Sequence, residues 1–359
     1  MKTDSRIYVA GHNGLVGSAI TRELKLQGYR NLILPARSAL NLLVQDETDA
    51  FFEREKPDYV FLAAAKVGGI MANNTFRAQF IYENLQIQNN IIHSSWKHGV
   101  QKLLFLGSSC IYPKECAQPM TEDCLLASPL EYTNEPYAIA KIAGIKMCES
   151  YNIQYGTDFI SVMPTNLYGI NDNYNLHNSH VLPAMIRKMH LGKLLINNDF
   201  ESIRNDLEKR PIDGVSENVS NAEIATALEQ FGIFKTRENV EIKLWGTGKP
   251  RREFLHSDDL AKAVIYAMNR ISFNDIVTER GLAEVRNTHI NIGSGVDLSI
   301  AELAEMIRKI TGFGGTISWD SQKPDGTYQK LMDVSLLKKM GWSATIELKE
   351  GIEQIYGEY

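Results

Sequence analysis

Short apolar runs alternate with longer helix-forming stretches along the first half of the chain. The apolar runs cover residues 7–10, 31–34, 59–65 and 103–106. They are too short for helices and are flanked by polar or helix-forming segments, which is typical of buried strands in a parallel sheet. Helix-forming stretches lie at residues 15–26, 46–55 and 74–98. The alternation predicts an α/β fold built on a doubly wound parallel sheet, with ligands at the carboxyl ends of the strands.

Three glycines, Gly11, Gly14 and Gly17, lie between the first strand and the first helix. In a dinucleotide-binding turn the first lets the chain leave the strand sharply, the second lets the backbone approach a pyrophosphate, and the third lets the helix pack close to the sheet. The spacing alone also fits an ordinary tight turn, but its position between a strand and a helix favours a dinucleotide site. The candidate cofactor-binding residues of this turn are Gly11, His12, Asn13, Gly14, Leu15, Val16 and Gly17.

The loop after the predicted second strand carries a candidate phosphate ligand, Arg37. Enzymes that use NAD usually have an acidic residue about 20 positions beyond the glycines, where it binds the ribose 2′-hydroxyl. This chain has Pro35-Ala36-Arg37-Ser38 there, with no carboxylate to repel a 2′-phosphate. A planar guanidinium can bind that phosphate and stack on adenine. The sequence therefore favours NADP(H), the alternative being that Arg37 is an ordinary exposed loop arginine.

Composition argues against several classes of function. The chain has 359 residues, 44% of them hydrophobic, which is enough for one large or two medium domains. With 38 basic and 43 acidic residues the formal net charge is -5, and there is no long basic run, so neither a nucleic-acid nor an anionic-membrane partner is expected. No apolar leader precedes the first strand and no run is long enough to span a bilayer, so a cytoplasmic protein is predicted. The four cysteines lack metal-ligand spacing, and we expect neither a metal site nor a disulfide.

Two further segments carry candidate chemistry. The fourth strand ends in Gly107-Ser108-Ser109-Cys110, which places two hydroxyls and a thiol at the ligand edge of the sheet. Downstream, Tyr137 and Lys141 are four residues apart, so in a helix they share one face. A phenol becomes a useful acid near neutrality only if a cation favours its phenolate, and Lys141 is placed to do so. Alone, the pair is more often a buried tyrosine beside a solvated lysine; with the glycine turn, Arg37 and a strand-end serine it indicates carbonyl reduction.

Four runs are specific enough to indicate a family: AAAKVGGI at 63–70, LGSSCIYP at 106–113, NEPYAIAK at 134–141 and MPTNLYG at 163–169. They resemble the extended short-chain dehydrogenase/reductase family, and the resemblance covers nearly the whole chain. It implies a Rossmann-type domain with a smaller C-terminal α/β lobe for the substrate. It also implies a reductase triad of Ser108, Tyr137 and Lys141. The remaining cofactor-binding residues that it implies are Leu106, Gly107, Pro164, Thr165, Asn166, Leu167 and His180.

The resemblance also implies an acid/base pair for epimerisation, Cys110 and His180, and the chemistry of these residues supports it. Inverting a carbon beside a ketone removes a proton from one face of the sugar ring and returns one to the other, so two titratable groups must flank the ring. Nearby cations can make a cysteine thiolate a competent base, and imidazole donates protons near neutrality. Without the resemblance, Cys110 would be interpreted as a small buried hydrophobe and His180 as a helix cap.

The cofactor domain is predicted over residues 1–168 with a returning segment at about 245–275, and the substrate lobe over residues 169–244 and 276–359. Residues 191–240 are longer than the usual connection in the family, and we interpret them as a surface insertion. The resemblance implies that Lys188, Trp245, Arg252 and Asp325 bind the substrate. A fixed guanidinium suits bidentate binding of a diphosphate, although Arg252 by itself also fits a surface salt bridge.

The implied function is NADPH-dependent conversion of GDP-4-keto-6-deoxy-D-mannose to GDP-L-fucose, by epimerisation at C3 and C5 and then reduction at C4. A 4-epimerase or 4,6-dehydratase of the same fold is the alternative enzyme; both recycle a tightly held NAD, which the missing acid after the second strand disfavours. A non-catalytic NADP-sensing protein is the alternative of another class, and such proteins typically lose the Tyr/Lys pair. The resemblance also implies a homodimer packed through the helices near residues 74–98 and 137–155.

Overall fold

The structure, a computed structural model, describes residues 1–212, 215, 219–237, 239–323 and 325–359. Its strands are β1 Ile7–Ala10, β2 Leu32–Ile33, β3 Tyr59–Leu62, β4 Lys102–Leu106, β5 Phe159–Pro164, β6 Asn166–Tyr168, β7 Ile233–Lys235, β8 Val240–Trp245, β9 Arg251–His256, β10 Ile290–Ile292, β11 Asp297–Ser299, β12 Thr316–Asp320 and β13 Gln329–Lys330. Its helices are α1 Leu15–Leu26, α2 Gln45–Glu55, α3 Ile70–Thr75, α4 Arg77–Lys97, α5 Glu135–Tyr155, α6 Val181–Ile196, α7 Phe200–Lys209, α8 Asn221–Glu229, α9 Ser257–Arg270, α10 Phe273–Glu279, α11 Ile300–Thr311, α12 Ser335–Lys339 and α13 Leu348–Gly357.

The predicted parallel sheet is confirmed. Six strands pair in the order β10-β5-β4-β3-β1-β2, and every pairing is parallel. The strand order reverses between β1 and β3, which is the switch point at which doubly wound sheets bind ligands. The helix predicted over 74–98 is two helices, α3 and α4, because the backbone departs from helical geometry at Phe76.

The sheet has a hydrophobic core on each face. Side chains alternate along β1, so that Ile7 and Val9 pack in one core and Tyr8 and Ala10 in the other. The first core is completed by apolar residues of α1 and α9, and the second by residues of α2 and α4. Because both faces are covered, these strands read as continuous apolar runs rather than as alternating ones.

The chain divides into two compact units. The first comprises residues 1–171, 253–296 and 330–346, and the second residues 172–252, 297–329 and 347–359. These bounds differ from those expected from the sequence, which assigned 276–296 and 330–346 to the substrate lobe and 245–252 to the cofactor domain. The physical reason for the different assignment of residues 276–296 is β10, which pairs with β5 and so becomes an edge strand of the large sheet.

The second unit contains a three-stranded sheet in the order β12-β8-β7, with β12 parallel and β7 antiparallel to β8. Residues 191–240, predicted to be a surface insertion, also contribute to the elements of the second unit. They include the C-terminal part of α6, all of β7 and the first residue of β8. Helices α7 and α8 of that segment also bury Ile203, Ile224 and Leu228. Residues 213, 214, 216–218 and 238 of that segment lie outside the described residues. Among the helices of the described residues, none combines the length and apolar character needed to cross a bilayer.

Candidate active site

The glycine turn between β1 and α1 fits a phosphate-bearing ligand. Gly11 has a φ of +85°, and a Cβ there would lie 2.8 Å from the amide nitrogen of Ala64. A Cβ on Gly17 would lie 2.1 Å from the carbonyl oxygen of Gly11, so α1 packs directly on the turn. A Cβ on Gly14 would lie 3.5 Å from its nearest neighbour, the Gly11 carbonyl oxygen, and no side chain caps the helix there. The first N–H groups of α1 can therefore serve an anion such as a dinucleotide pyrophosphate.

Arg37 lies exposed in the loop after β2. Since β2 is the parallel neighbour of β1, this loop and the glycine turn leave the sheet at the same edge. His12 lies in the turn itself, where partial burial lowers the pKa of its imidazole. The glycine turn and the Arg37 guanidinium, which suits a phosphate, therefore lie at the carboxyl ends of neighbouring strands.

The end of β4 carries Ser108 and Cys110 in a fixed arrangement. Gly107 lets this strand end approach β5, because a Cβ there would lie 2.2 Å from the Met163 sulfur. The hydroxyl of Ser108 then accepts a hydrogen bond of 3.4 Å from the Cys110 backbone N–H, which starts a short 3-10 turn. The Cys110 thiol lies beside the Ser108 side chain and is only 7% exposed.

Helix α5 brings Tyr137 and Lys141 to the same strand end. The helix has Pro136 in its first turn, where the missing N–H costs nothing. The Lys141 ammonium donates a hydrogen bond of 2.8 Å to the carbonyl oxygen of Leu106 and lies 5.7 Å from the centre of the Tyr137 ring. Close approach of α5 to β4 depends on Gly144, where a Cβ would lie 2.4 Å from the Phe105 ring. The structure therefore brings Ser108, Cys110, Tyr137 and Lys141 together at the end of β4.

Burial controls the protonation of this pair. It raises the pKa of Tyr137 and lowers the pKa of Lys141 from 10.5 to about 8. The spacing of Tyr137 and Lys141 predicts that the lysine favours the phenolate, but in the structure desolvation of the phenol dominates. Tyr137 therefore stays protonated at neutral pH, which suits a proton donor rather than a base.

The Cys110 thiol is subject to opposing effects. Burial raises its pKa, and the Ser108 hydroxyl and the charges of Lys330 and Lys141 lower it by smaller amounts. Lys330 belongs to β13 and no sequence motif marks it, because only folding brings it near Cys110. It is the one residue of this cluster that sequence reasoning missed.

The predicted cofactor-binding residues Pro164 to Leu167 run from the end of β5, the neighbour of β4, into β6. Thr165 donates its backbone N–H to the Ile292 carbonyl at 3.0 Å. The side chain of Asn166 donates to the Glu253 carbonyl at 2.9 Å. Segment 164–167, from Pro164 to Leu167, is therefore anchored at the same edge as Ser108.

The remaining predicted residues belong to the second unit. His180 is the N-cap residue of α6, but its exposed imidazole makes no capping hydrogen bond. Partial desolvation lowers the pKa of that imidazole. Lys188 lies on the same helix, where burial lowers its pKa to about 8.

Trp245, Arg252 and Asp325 lie around one turn of the second unit. The Trp245 side chain is 58% exposed at the end of β8. Asp325 accepts hydrogen bonds from the backbone N–H of Thr247 at 2.8 Å and from its hydroxyl at 2.7 Å. Burial lowers the pKa of Arg252, and the charge of Asp325 opposes that effect. Asp325 therefore fixes the turn as well as balancing the guanidinium.

Residues 7–210 and 216–293 match the NAD dependent epimerase/dehydratase family. The chain is 49% identical to GDP-L-fucose synthase 1 of Arabidopsis thaliana, over 99% of this chain and 93% of that protein. It is 46% identical to GDP-L-fucose synthase of Escherichia coli K12, over 98% of this chain and 95% of that protein.

Among solved structures, it is similar to a GDP-mannoheptose C4 reductase from Campylobacter jejuni with NADP bound. The TM-score is 0.86 and the identity 45%, covering 100% of this chain and 99% of that one.

Proposed function

The chain belongs to the NAD dependent epimerase/dehydratase family, and we propose that within it the protein converts GDP-4-keto-6-deoxy-D-mannose to GDP-L-fucose with NADPH. The names of relatives 46–49% identical over nearly the full chain support this product. The observation that carries the proposal is the cluster at the end of β4, where a thiol adjoins a Ser-Tyr-Lys set. An enzyme that only reduces a ketone needs the Ser-Tyr-Lys set but not the Cys110 thiol.

In the proposed epimerisation, Cys110 and His180 act on opposite faces of the sugar ring. One removes the proton from C3 or C5, and the carbonyl at C4 accepts the electron pair as an enolate. The other group then returns a proton to the opposite face. The positive charges of Lys141 and Lys330 assist by favouring the thiolate of Cys110.

In the proposed reduction, the Ser108 hydroxyl donates a hydrogen bond to the C4 carbonyl, and Tyr137 donates a proton to the alkoxide that forms. When bound, NADPH supplies the hydride. Because burial raises the pKa of Tyr137, the phenol carries its proton at neutral pH. The Lys141 cation stabilises the negative charge that develops on the phenol oxygen as the proton leaves.

The residues suited to hold NADPH lie along the edge of the large sheet. The first turn of α1 would bind the pyrophosphate, and Arg37 the 2′-phosphate. Segment 164–167 would lie against the nicotinamide. In the substrate lobe, Lys188 and Arg252 would bind the GDP diphosphate, because both are cations with lowered pKa values in partly buried settings.

A second candidate function is reduction at C4 of a GDP-heptose without inversion. It is favoured by the similarity to the GDP-mannoheptose C4 reductase. That protein is 45% identical to this chain, and the two fucose synthases are 46% and 49% identical to it. The Ser-Tyr-Lys set would serve both reactions. The candidates therefore differ in whether Cys110 and His180 work as an acid/base pair.

The test is incubation with NADPH and GDP-4-keto-6-deoxy-D-mannose while the absorbance of reduced nicotinamide is followed. Stoichiometric loss with GDP-L-fucose as product supports the proposal, whereas reduction without inversion supports the second candidate. In a parallel incubation with GDP-mannose, which keeps its C4 hydroxyl, product without net NADPH consumption would assign a 4-epimerase or 4,6-dehydratase. Turnover of neither sugar would assign an NADP-binding protein.

We also propose a homodimer formed through α4 and α5. These helices carry large exposed apolar side chains, a feature of association surfaces. They are Tyr82, Ile139, Ile153 and Tyr155. Light scattering should give twice the chain mass of 40.4 kDa, and the charge-introducing variant Ile153→Glu should shift the protein towards the monomer.

A further inference from the structure

Lys323 lies beside the exposed ring of Trp245 in the second unit. Its ammonium nitrogen is 5.3 Å from the centre of the indole, within the range of a cation–π interaction. Both side chains are exposed, and 58% of Trp245 is open to solvent. An aromatic face and a cation are therefore presented together, beside the turn that holds Arg252 and Asp325.

The backbone fixes this arrangement. Trp245 and Asp320 are partners in the parallel ladder of β8 and β12. The Asp320 carbonyl accepts a hydrogen bond from Gly246 at 3.0 Å and one from Lys323 at 3.1 Å. The Asp320 carbonyl thus binds both Gly246, the residue after Trp245, and Lys323. This shared acceptor holds the backbone of Lys323 close to the indole.

Asp325 and Gly326 are fixed as well. Asp325 is bound to Thr247 through both carboxylate oxygens. Gly246 has a φ of +79°, and a Cβ there would lie 2.3 Å from the Asp325 Oδ1. A Cβ on Gly326 would lie 2.9 Å from the Arg252 guanidinium. Lys323 is therefore two residues from Asp325, and Gly326 packs against Arg252, which is proposed to bind the GDP diphosphate.

An aromatic ring alone cannot choose the base, because every base offers a flat face for stacking. Guanine differs from adenine at its outer edge, where it presents two acceptors, O6 and N7, whereas adenine presents an amino donor beside N7. A lysine ammonium has donors and no acceptor, so it pairs with guanine and not with the amino group of adenine.

We propose that Lys323 selects guanine in the nucleotide of the substrate, donating to O6 and N7 of a base stacked on Trp245. The inference rests on the proposed GDP-sugar function and adds a specificity-determining residue to it.

The test measures binding of GDP and of ADP to the full-length protein by calorimetry, with NADP present at saturation so that ADP cannot enter the cofactor site. Wild type should prefer GDP. Lys323→Met should weaken GDP roughly tenfold, the size expected for one lost contact to a base edge, and leave ADP unchanged. Lys323→Arg should keep the preference, since it keeps the donors. Lys243→Met is the matched control, because Lys243 is exposed two residues before Trp245 on the same strand.

A loss of GDP and ADP affinity by the same factor in Lys323→Met would assign Lys323 a structural role and overturn the inference, as would unchanged GDP affinity. If wild type binds neither nucleotide, the proposed GDP-sugar function fails, and the inference fails with it. If wild type prefers GDP and turns over the GDP-sugar while Lys323→Met keeps the same preference, only the role of Lys323 is lost.

Discussion

The ammonium of Lys141 in α5 donates a hydrogen bond of 2.8 Å to the main-chain oxygen of Leu106, the last residue of β4. The helix that carries Tyr137 is thereby tied to the strand end that carries Ser108. The lysine thus has a positioning role as well as an electrostatic one.

Lys141→Met should lower the rate of NADPH oxidation by roughly 10²–10³-fold, as expected when a group that supports general acid catalysis is removed. Exchange of solvent deuterium into the sugar should fall less, because it does not require the phenol and the charge of Lys330 still favours the Cys110 thiolate. The measurement is single-turnover NADPH oxidation beside mass spectrometry of the sugar. Equal loss of both activities would show that the substitution disrupts the whole site.

The rate of reduction should fall as the pH rises through about 8, because burial lowers the pKa of Lys141 to that value and its cation is lost above it. Stability should respond in the opposite sense. Between about 8 and 10.5 the unfolded chain binds more protons at this lysine than the folded protein does, so its contribution to the free energy of unfolding grows with pH.

A pH profile of single-turnover reduction checks this assignment. The residual activity of Lys141→Met should lack the decline near pH 8. A decline that survives in the variant belongs to another group.

Cys110→Ala should abolish deuterium incorporation at C3 and C5 of the sugar, because the thiol is the proposed partner of His180 in inversion. Reduction of a ketone that needs no inversion should continue, since Ser108, Tyr137 and Lys141 remain. Mass spectrometry and NMR of the recovered sugar measure the exchange. Cys148→Ala is the control, because Cys148 is a buried thiol of α5 outside the proposed pair. Unchanged exchange in Cys110→Ala would remove the thiol from the mechanism.

Arg37→Asp should shift cofactor preference from NADP towards NAD. The carboxylate would repel a 2′-phosphate and accept a hydrogen bond from a free 2′-hydroxyl. The ratio of kcat/KM for the two reduced cofactors is the measurement. Arg30→Asp is a suitable control, since Arg30 is also exposed but precedes β2. Equal use of NADPH and NADH by wild type would contradict the assignment.

Asp206→Asn should destabilise the protein by about 3–5 kcal/mol, because it leaves a buried cation without its partner. Asp206 of α7 pairs with the fully buried Arg187 of α6 at 2.8 Å and with Arg210 at 3.1 Å. Denaturant unfolding gives the free energy, with Glu208→Gln, an exposed acid on the same helix, as control. A change below about 1 kcal/mol would show that the pair contributes no more than a surface ion pair.

The large sheet was predictable because both of its faces are buried. Strands such as β1 and β4 are then apolar at every position and stand out from the amphipathic helices around them. The bounds of the two units were not predictable to the same degree. Strand β10 joins the sheet through its pairing with β5, which lies more than 120 residues earlier in the chain. The short apolar run of β10 contains no signal for which strand it pairs with.

The sequence by itself determined the order of strands and helices, the glycine turn, the strand-end hydroxyls and thiol, and the Tyr137/Lys141 pair. These features depend on local spacing, which the chain carries directly. The tertiary structure alone decided the charge state of the site, by burying Tyr137 and Lys141 and by bringing Lys330 to Cys110. Desolvation and electrostatic attraction depend on what surrounds a group in space, and residues distant in sequence supply those surroundings.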